Sequence, residues 1–173
     1  LSDIVQSADE EKVLRAAIAA QKATGAPLTI HPSFKERQCE RIIEVLDEEG
    51  ADFKRTILSH TELFLDESLE YTFMLADSGL YIDYDTFGLE GNWPGIGLFE
   101  PSDTQRVNAI KKLIQKGYLD QILLSQDVCL KVMRMSYGGF GYAHILRDIL
   151  PLFEKEGISG EEIEMMLVKN PKR

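Results

Sequence analysis

One arrangement recurs along this chain and narrows its fold more than anything else: a short β-prone run followed by an amphipathic helix, four times over. The β-prone runs are 27–31 (PLTIH), 56–60 (TILSH), 80–84 (LYIDY) and 121–125 (QILLS). The first three are each followed by apolar residues at helical spacing, such as Cys39, Ile42, Ile43 and Leu46 after the first, or Leu69, Phe73 and Ala76 after the second. A leading helix is expected over 10–23, with Val13, Leu14, Ala17, Ile18 and Gln21 on one face, and a closing one follows Ser159. Ser7–Glu10, Ser33–Glu36, Ser102–Gln105 and Ser159–Glu162 have capping-box spacing, in which hydroxyl and carboxyl or amide each satisfy a free backbone N–H. Gly25, Gly50, Gly79 and Gly117 stand where helices should stop. Strands alternating with helices imply parallel pairing through right-handed crossovers. Two architectures fit: an open doubly wound sheet, or part of a (β/α)8 barrel. A whole barrel takes about 250 residues and eight units, so four units in 173 residues would be half of one. We find no short internal repeat and treat 1–173 as one unit.

Composition removes several classes of function. A net charge of −10 repels phosphate backbones, so no nucleic-acid partner is expected. No apolar stretch approaches the ~20 residues of a membrane helix, and no signal peptide is evident at the start. The two cysteines, Cys39 and Cys129, are far apart and form no disulfide or metal framework. A reducing, cytoplasmic location fits best.

The chemistry-bearing residues collect at strand ends. The chain has three histidines; His31 ends the first β-prone run and His60 the second, while Asp127 follows the fourth. In parallel β/α folds the loops after the strands gather at one rim, so two imidazoles and a carboxylate are expected to converge there. Such donors suit zinc and similar divalent ions. Taken singly, each has a bland reading, as a hydrogen-bonded histidine or a turn-forming aspartate. Together, the equivalent placement of two of three histidines favours a metal site. His144 falls inside an expected helix and reads as structural. Asp83 and Asp85 flank Tyr84 at the end of the third run; one of them could face the cleft, or both could be turn-forming or solvated. The loop 85–101 carries Phe87, Trp93 and Phe99 among Gly88, Gly91, Pro94, Gly95 and Gly97, which suits either a lid or an ordinary surface loop. The glycines at 138–141 lack the lysine of a phosphate-binding loop.

At these residues a family resemblance emerges. Thr29–Pro32 (TIHP), Leu58–His60 (LSH), Tyr84–Gly88 (YDTFG), Leu124–Asp127 (LSQD) and Tyr137–Tyr142 (YGGFGY) stand in the order and spacing of the phosphotriesterase family. They look closest to its phosphotriesterase-related branch, and the ending MLVKNP resembles that family's terminus. The resemblance implies the C-terminal half of a TIM barrel, strands five to eight, of a hydrolase with two divalent metal ions, zinc being the expected metal. It implies that His31 and His60 are metal ligands after the fifth and sixth strands. It implies that Asp127, after the eighth, is both ligand and catalytic proton shuttle. Tyr84 and Tyr137 are carried over as substrate contacts. The expected substrate is a small amide, ester or phosphoester; animal-type members of the branch point to an N-acetyltaurine-type amide. The chain departs from the family pattern in two respects. No His-x-His pair occurs; that pair and the family's carbamylated lysine are expected before Leu1. Gln126 stands where many relatives place histidine. The isolated chain is therefore expected to bind metal weakly, to be inactive, and to associate with its N-terminal half or with itself. The alternatives are a non-catalytic small-molecule-binding or interaction protein on the same fold, and a metal-free open sheet.

Overall fold

The computed structural model describes residues 7–33, 39–93 and 98–173, without the Trp93 side chain. The capping residues set the helix starts. Ser7 accepts from the Glu10 N–H, and the Glu10 carboxylate accepts from the Ser7 N–H at 2.7 Å, opening α1 (Ala8–Thr24). Gly25, at φ 71°, closes α1, a left-handed conformation that costs a side-chain-bearing residue energy. The Ser102–Gln105 box opens α4 (Asp103–Gln115), and the Ser159–Glu162 box opens α6 (Gly160–Glu164). The Ser33–Glu36 box falls outside the described residues; the helix it was to open is described as α2 (Cys39–Glu48). The remaining helices are α3 (Glu70–Asp77) and α5 (Leu150–Lys155). α5 is entered through a π-helical segment, Ile145–Ile149.

Four strands form one parallel sheet in the order β1 (Leu28–Ile30), β2 (Thr56–Leu58), β3 (Tyr81–Tyr84) and β6 (Ile122–Leu124). Each is shorter than its β-prone run. His31 and His60 therefore lie just beyond their strands, in the loops. The register aligns Ile30, Leu58, Ile82 and Ile122 in one row, all buried against the helices. Side chains alternate across a strand, so Ile57, Tyr81 and Leu123 face the other way and line an open groove. β1 and β6 are the two edges of this sheet among the described residues.

The loop after β3 differs from expectation. The segment, whose composition suits either a lid or an ordinary surface loop, contains an antiparallel hairpin, β4 (Gly91–Trp93) and β5 (Leu98–Glu100). Its tip, 94–97, is outside the described residues. Phe87 is a core residue packed edge-on against Phe153, whereas Phe99 is 59% exposed. The segment after β6 also departs from the regular pattern: two short 3-10 turns, Lys131–Met133 and Met135–Tyr137, precede the next helix. Much of the acidity lies on solvated helix faces, where Arg15 and Arg41 bridge Glu11, Glu44, Glu48 and Glu49 between α1 and α2. No described helix is long and apolar enough to cross a membrane.

Candidate metal centre

His31 and His60 meet at the carboxyl ends of β1 and β2. His60 Nε2 lies 2.9 Å from His31 Nδ1, and the rings stand edge to face with centroids 4.7 Å apart. The register brings the two strand ends together: Ile30 pairs with Leu58, so His31, one residue past β1, and His60, two residues past β2, leave neighbouring strands at one rim. His60 is 8% exposed and takes a left-handed backbone, φ 56°.

Asp85, one residue past β3, is the third member of the arrangement. Its Oδ1 accepts from His60 Nδ1 at 2.6 Å and from the His60 backbone N–H at 3.1 Å. The ring contact places a proton on Nδ1 and turns Nε2 toward His31, the pattern by which carboxylates orient metal-ligating histidines. Burial works against the imidazolium of His60. The hydrogen bond and charge of Asp85, with the charges of Glu62 and Asp127, outweigh it and raise the pKa above the ordinary value. Asp127 follows β6 at the same end of the parallel sheet. It is exposed, and its backbone adopts φ 38°. Asp83 shares the parity of Tyr81, on the sheet face opposite the helix layer, and burial with the charges of Asp85 and Glu62 pushes its carboxyl well above the carboxylate range.

The two tyrosines have different fates. Tyr137 is 51% exposed in the loop after β6, with Lys131 Nζ 4.5 Å from its ring centroid. Tyr84 is wholly buried on the helix-facing side of β3, and its hydroxyl has no hydrogen-bond partner among the described residues. The structure places it away from the cleft that Asp83 and Asp85 face. His144 bridges Asp103 and Asp148, each at 2.7 Å, and joins the start of α4 to the segment entering α5.

A second cluster, absent from the sequence reading, backs the histidines. Glu62 accepts from the Thr86 N–H and hydroxyl, both at 2.7 Å. Arg106 of α4 donates to Thr86 Oγ1 (2.8 Å), the Leu89 carbonyl (2.7 Å), Glu100 (3.2 Å) and Asp103 (3.0 Å). Glu62 and Arg106 are completely buried. Burial, and then the charge of Asp85, push Glu62 up to about 7, against the hydrogen bonds and the Arg106 charge that lower it. One sequence signal marked Arg106: it occupies the apolar stripe of α4 with Ile110 and Leu113, where a charge must find partners.

The donor set suits a divalent ion. Two ligands ~2.05 Å from a tetrahedral zinc lie about 3.3 Å apart, a few tenths of an ångström beyond the 2.9 Å between the facing imidazole nitrogens. Among the described residues, no three side chains of ligand type are already gathered around one point. The two histidines are paired at one rim.

Comparison with known proteins fixes the lineage. The phosphotriesterase family model matches residues 3–173. The chain belongs to the phosphotriesterase family. It is 40% identical over 165 residues to a phosphotriesterase-related protein of Nematostella vectensis, covering 94% of this chain and 47% of that protein. It is 39% identical to the N-acetyltaurine hydrolase of Danio rerio, with 95% and 47% covered. Among solved structures it superposes on a resiniferatoxin-binding protein from Rhodobacter sphaeroides with a TM-score of 0.89 at 37% identity, covering 96% of this chain and 46% of that one. It superposes on the Escherichia coli phosphotriesterase homology protein, solved with phosphate in its active site, with a TM-score of 0.84 at 28% identity, covering 98% of this chain and 55% of that one. The chain spans about half the length of the curated relatives it matches. Its parallel sheet and flanking helices form half of a phosphotriesterase-like barrel.

Proposed function

We propose that this segment is the part, strands five to eight, of a binuclear metal-dependent hydrolase barrel that supplies two imidazoles and a carboxylate to the metals. The substrate proposed is a small N-acyl amide of the N-acetyltaurine type, after the curated relatives of that name. The observation that carries the reading is the His31–His60 pair with Asp85 behind it.

His31 and His60 would hold one ion, and Asp127 the other. Two divalent ions, zinc being the metal proposed, would supply a water of lowered pKa and positive charge for the oxyanion of the attacked carbonyl. Asp85 keeps His60 in the Nδ1–H form, so that Nε2 presents its lone pair to the cleft. Asp127, exposed at the same rim, takes the proton of the attacking water and passes it to the leaving amine. Tyr137, half exposed in the loop after β6, would contact the substrate. The first ion's remaining ligands would come from the N-terminal half of the barrel.

The test is hydrolysis of N-acetyltaurine by a full-length barrel carrying this segment. His60→Ala should lower kcat/KM by at least a thousandfold and reduce the bound metal. Undiminished turnover by His60→Ala would end this reading.

A further inference from the structure

We infer that Arg106 is a positioning residue for His60, acting through Thr86 and Glu62. The inference rests on His60 being a metal ligand, and its first test uses no metal. His60 is a non-glycine residue at φ 56°. Such a backbone costs about 1–3 kcal/mol and persists only where its surroundings over-determine it. Besides the Thr61 hydroxyl on the Asp83 carbonyl (2.9 Å), two cross-links supply that constraint. One is Asp85 on the ring and amide of His60. The other is Glu62, two residues on, held by the amide and hydroxyl of Thr86, the neighbour of Asp85. The loops after β2 and β3 are thus tied at successive residues.

Arg106 anchors the second tie to the helix layer. Its guanidinium is fully buried and donates to Thr86, Leu89, Glu100 and Asp103, so one rigid fork reaches the loop after β3, the end of β5 and the first turn of α4. Its Nε lies 3.7 Å from Glu62. A general stabilising role would need no such arrangement, since buried ion pairs are commonly replaceable by apolar side chains. Here two of the partners, Thr86 and Glu62, stand next to Asp85 and two residues from His60. A lysine would keep the charge, but it lacks the planar fork that satisfies several acceptors at once.

The experiment is amide hydrogen exchange on the metal-free chain, comparing wild type with Arg106→Lys and Thr86→Val. Thr86→Val removes the hydroxyl that joins Arg106 to Glu62 and leaves every charge in place. The expected result is at least tenfold faster exchange at the His60 and Thr86 amides, with the Leu46 amide of α2 unchanged. Zinc affinity should fall ten- to a hundredfold in the same variants. Exchange at His60 and Thr86 within twofold of wild type would overturn the inference. So would uniform acceleration that includes Leu46, which is the signature of a merely structural residue. If Arg106→Lys does not fold, Thr86→Val decides on the same terms. If wild type takes up no zinc, the metal reading fails while the exchange result still decides the role of Arg106.

Discussion

Replacing Asp85 by asparagine isolates what the carboxylate does for His60. The change is nearly isosteric, and both residues are buried, so repacking is minimal. Asp85 Oδ1 accepts two bonds from His60, at 2.6 and 3.1 Å. An amide oxygen can accept from the same donors, but the bonds lose their ionic assistance, which roughly halves their strength. Charge-assisted bonds are worth about 1.5–3 kcal/mol and neutral ones about 0.5–1.5. The expected loss is therefore about 1–2 kcal/mol in holding the ligand, or roughly five- to thirtyfold in metal affinity. Zinc affinity should be measured at pH 8 by competition with a chromophoric chelator, because Asp85 also raises the pKa of His60 and protons compete with metal at lower pH. Asp148→Asn, on the surface near α5, serves as control. Zinc affinity within twofold of wild type in folded Asp85→Asn would refute the claim that Asp85 orients the ligand.

Other outcomes follow from particular contacts. Glu62 is raised to about 7 from an ordinary value of 4.5, so the metal-free native state binds a proton more tightly than the unfolded one. The stabilisation is fully present below about pH 4.5 and is lost as pH rises through about 7, at most about 3 kcal/mol; denaturant titrations at pH 4.5 and 8 should show the decline, and Glu62→Gln should flatten it. A methyl group at Gly88 would lie 2.5 Å from the Phe140 ring at φ +90°, so Gly88→Ala should cost about 2 kcal/mol or more in denaturation and loosen the segment entering α5. Gln21 is buried in α1 and bonds the carbonyls of Asp52 and Arg55, the Thr56 hydroxyl and the Asp52 N–H. Gln21→Ala should therefore cost about 2–4 kcal/mol by the same assay, because several buried polar groups lose their partner.

What could be read from the sequence followed local physics. The capping boxes at Ser7, Ser102 and Ser159 form as spaced, because hydroxyl and acceptor lie within one helical turn. The strand-end placement of His31 and His60 was legible because parallel β/α units put those positions on one rim. Parity was not legible where both faces of a strand are buried and no polar–apolar alternation marks the inside. Tyr84, carried over from the resemblance as a substrate contact, lies in the helix layer, while Asp85, for which the sequence leaves cleft-facing and turn-forming roles open, holds His60. The β4–β5 hairpin was hidden by glycines and prolines that read equally well as a lid. Glu62 and Arg106 stand 44 positions apart, and no local pattern links them; the buried charge on the apolar stripe of α4 was the available sign.

The most direct test is an anomalous-difference map from zinc-soaked crystals of this chain. The account predicts a peak at about 2.1 Å from one ring nitrogen each of His31 and His60, with Asp127 drawn toward the same cleft. Zinc bound only at surface carboxylates, with the two imidazoles still paired to each other, would contradict it.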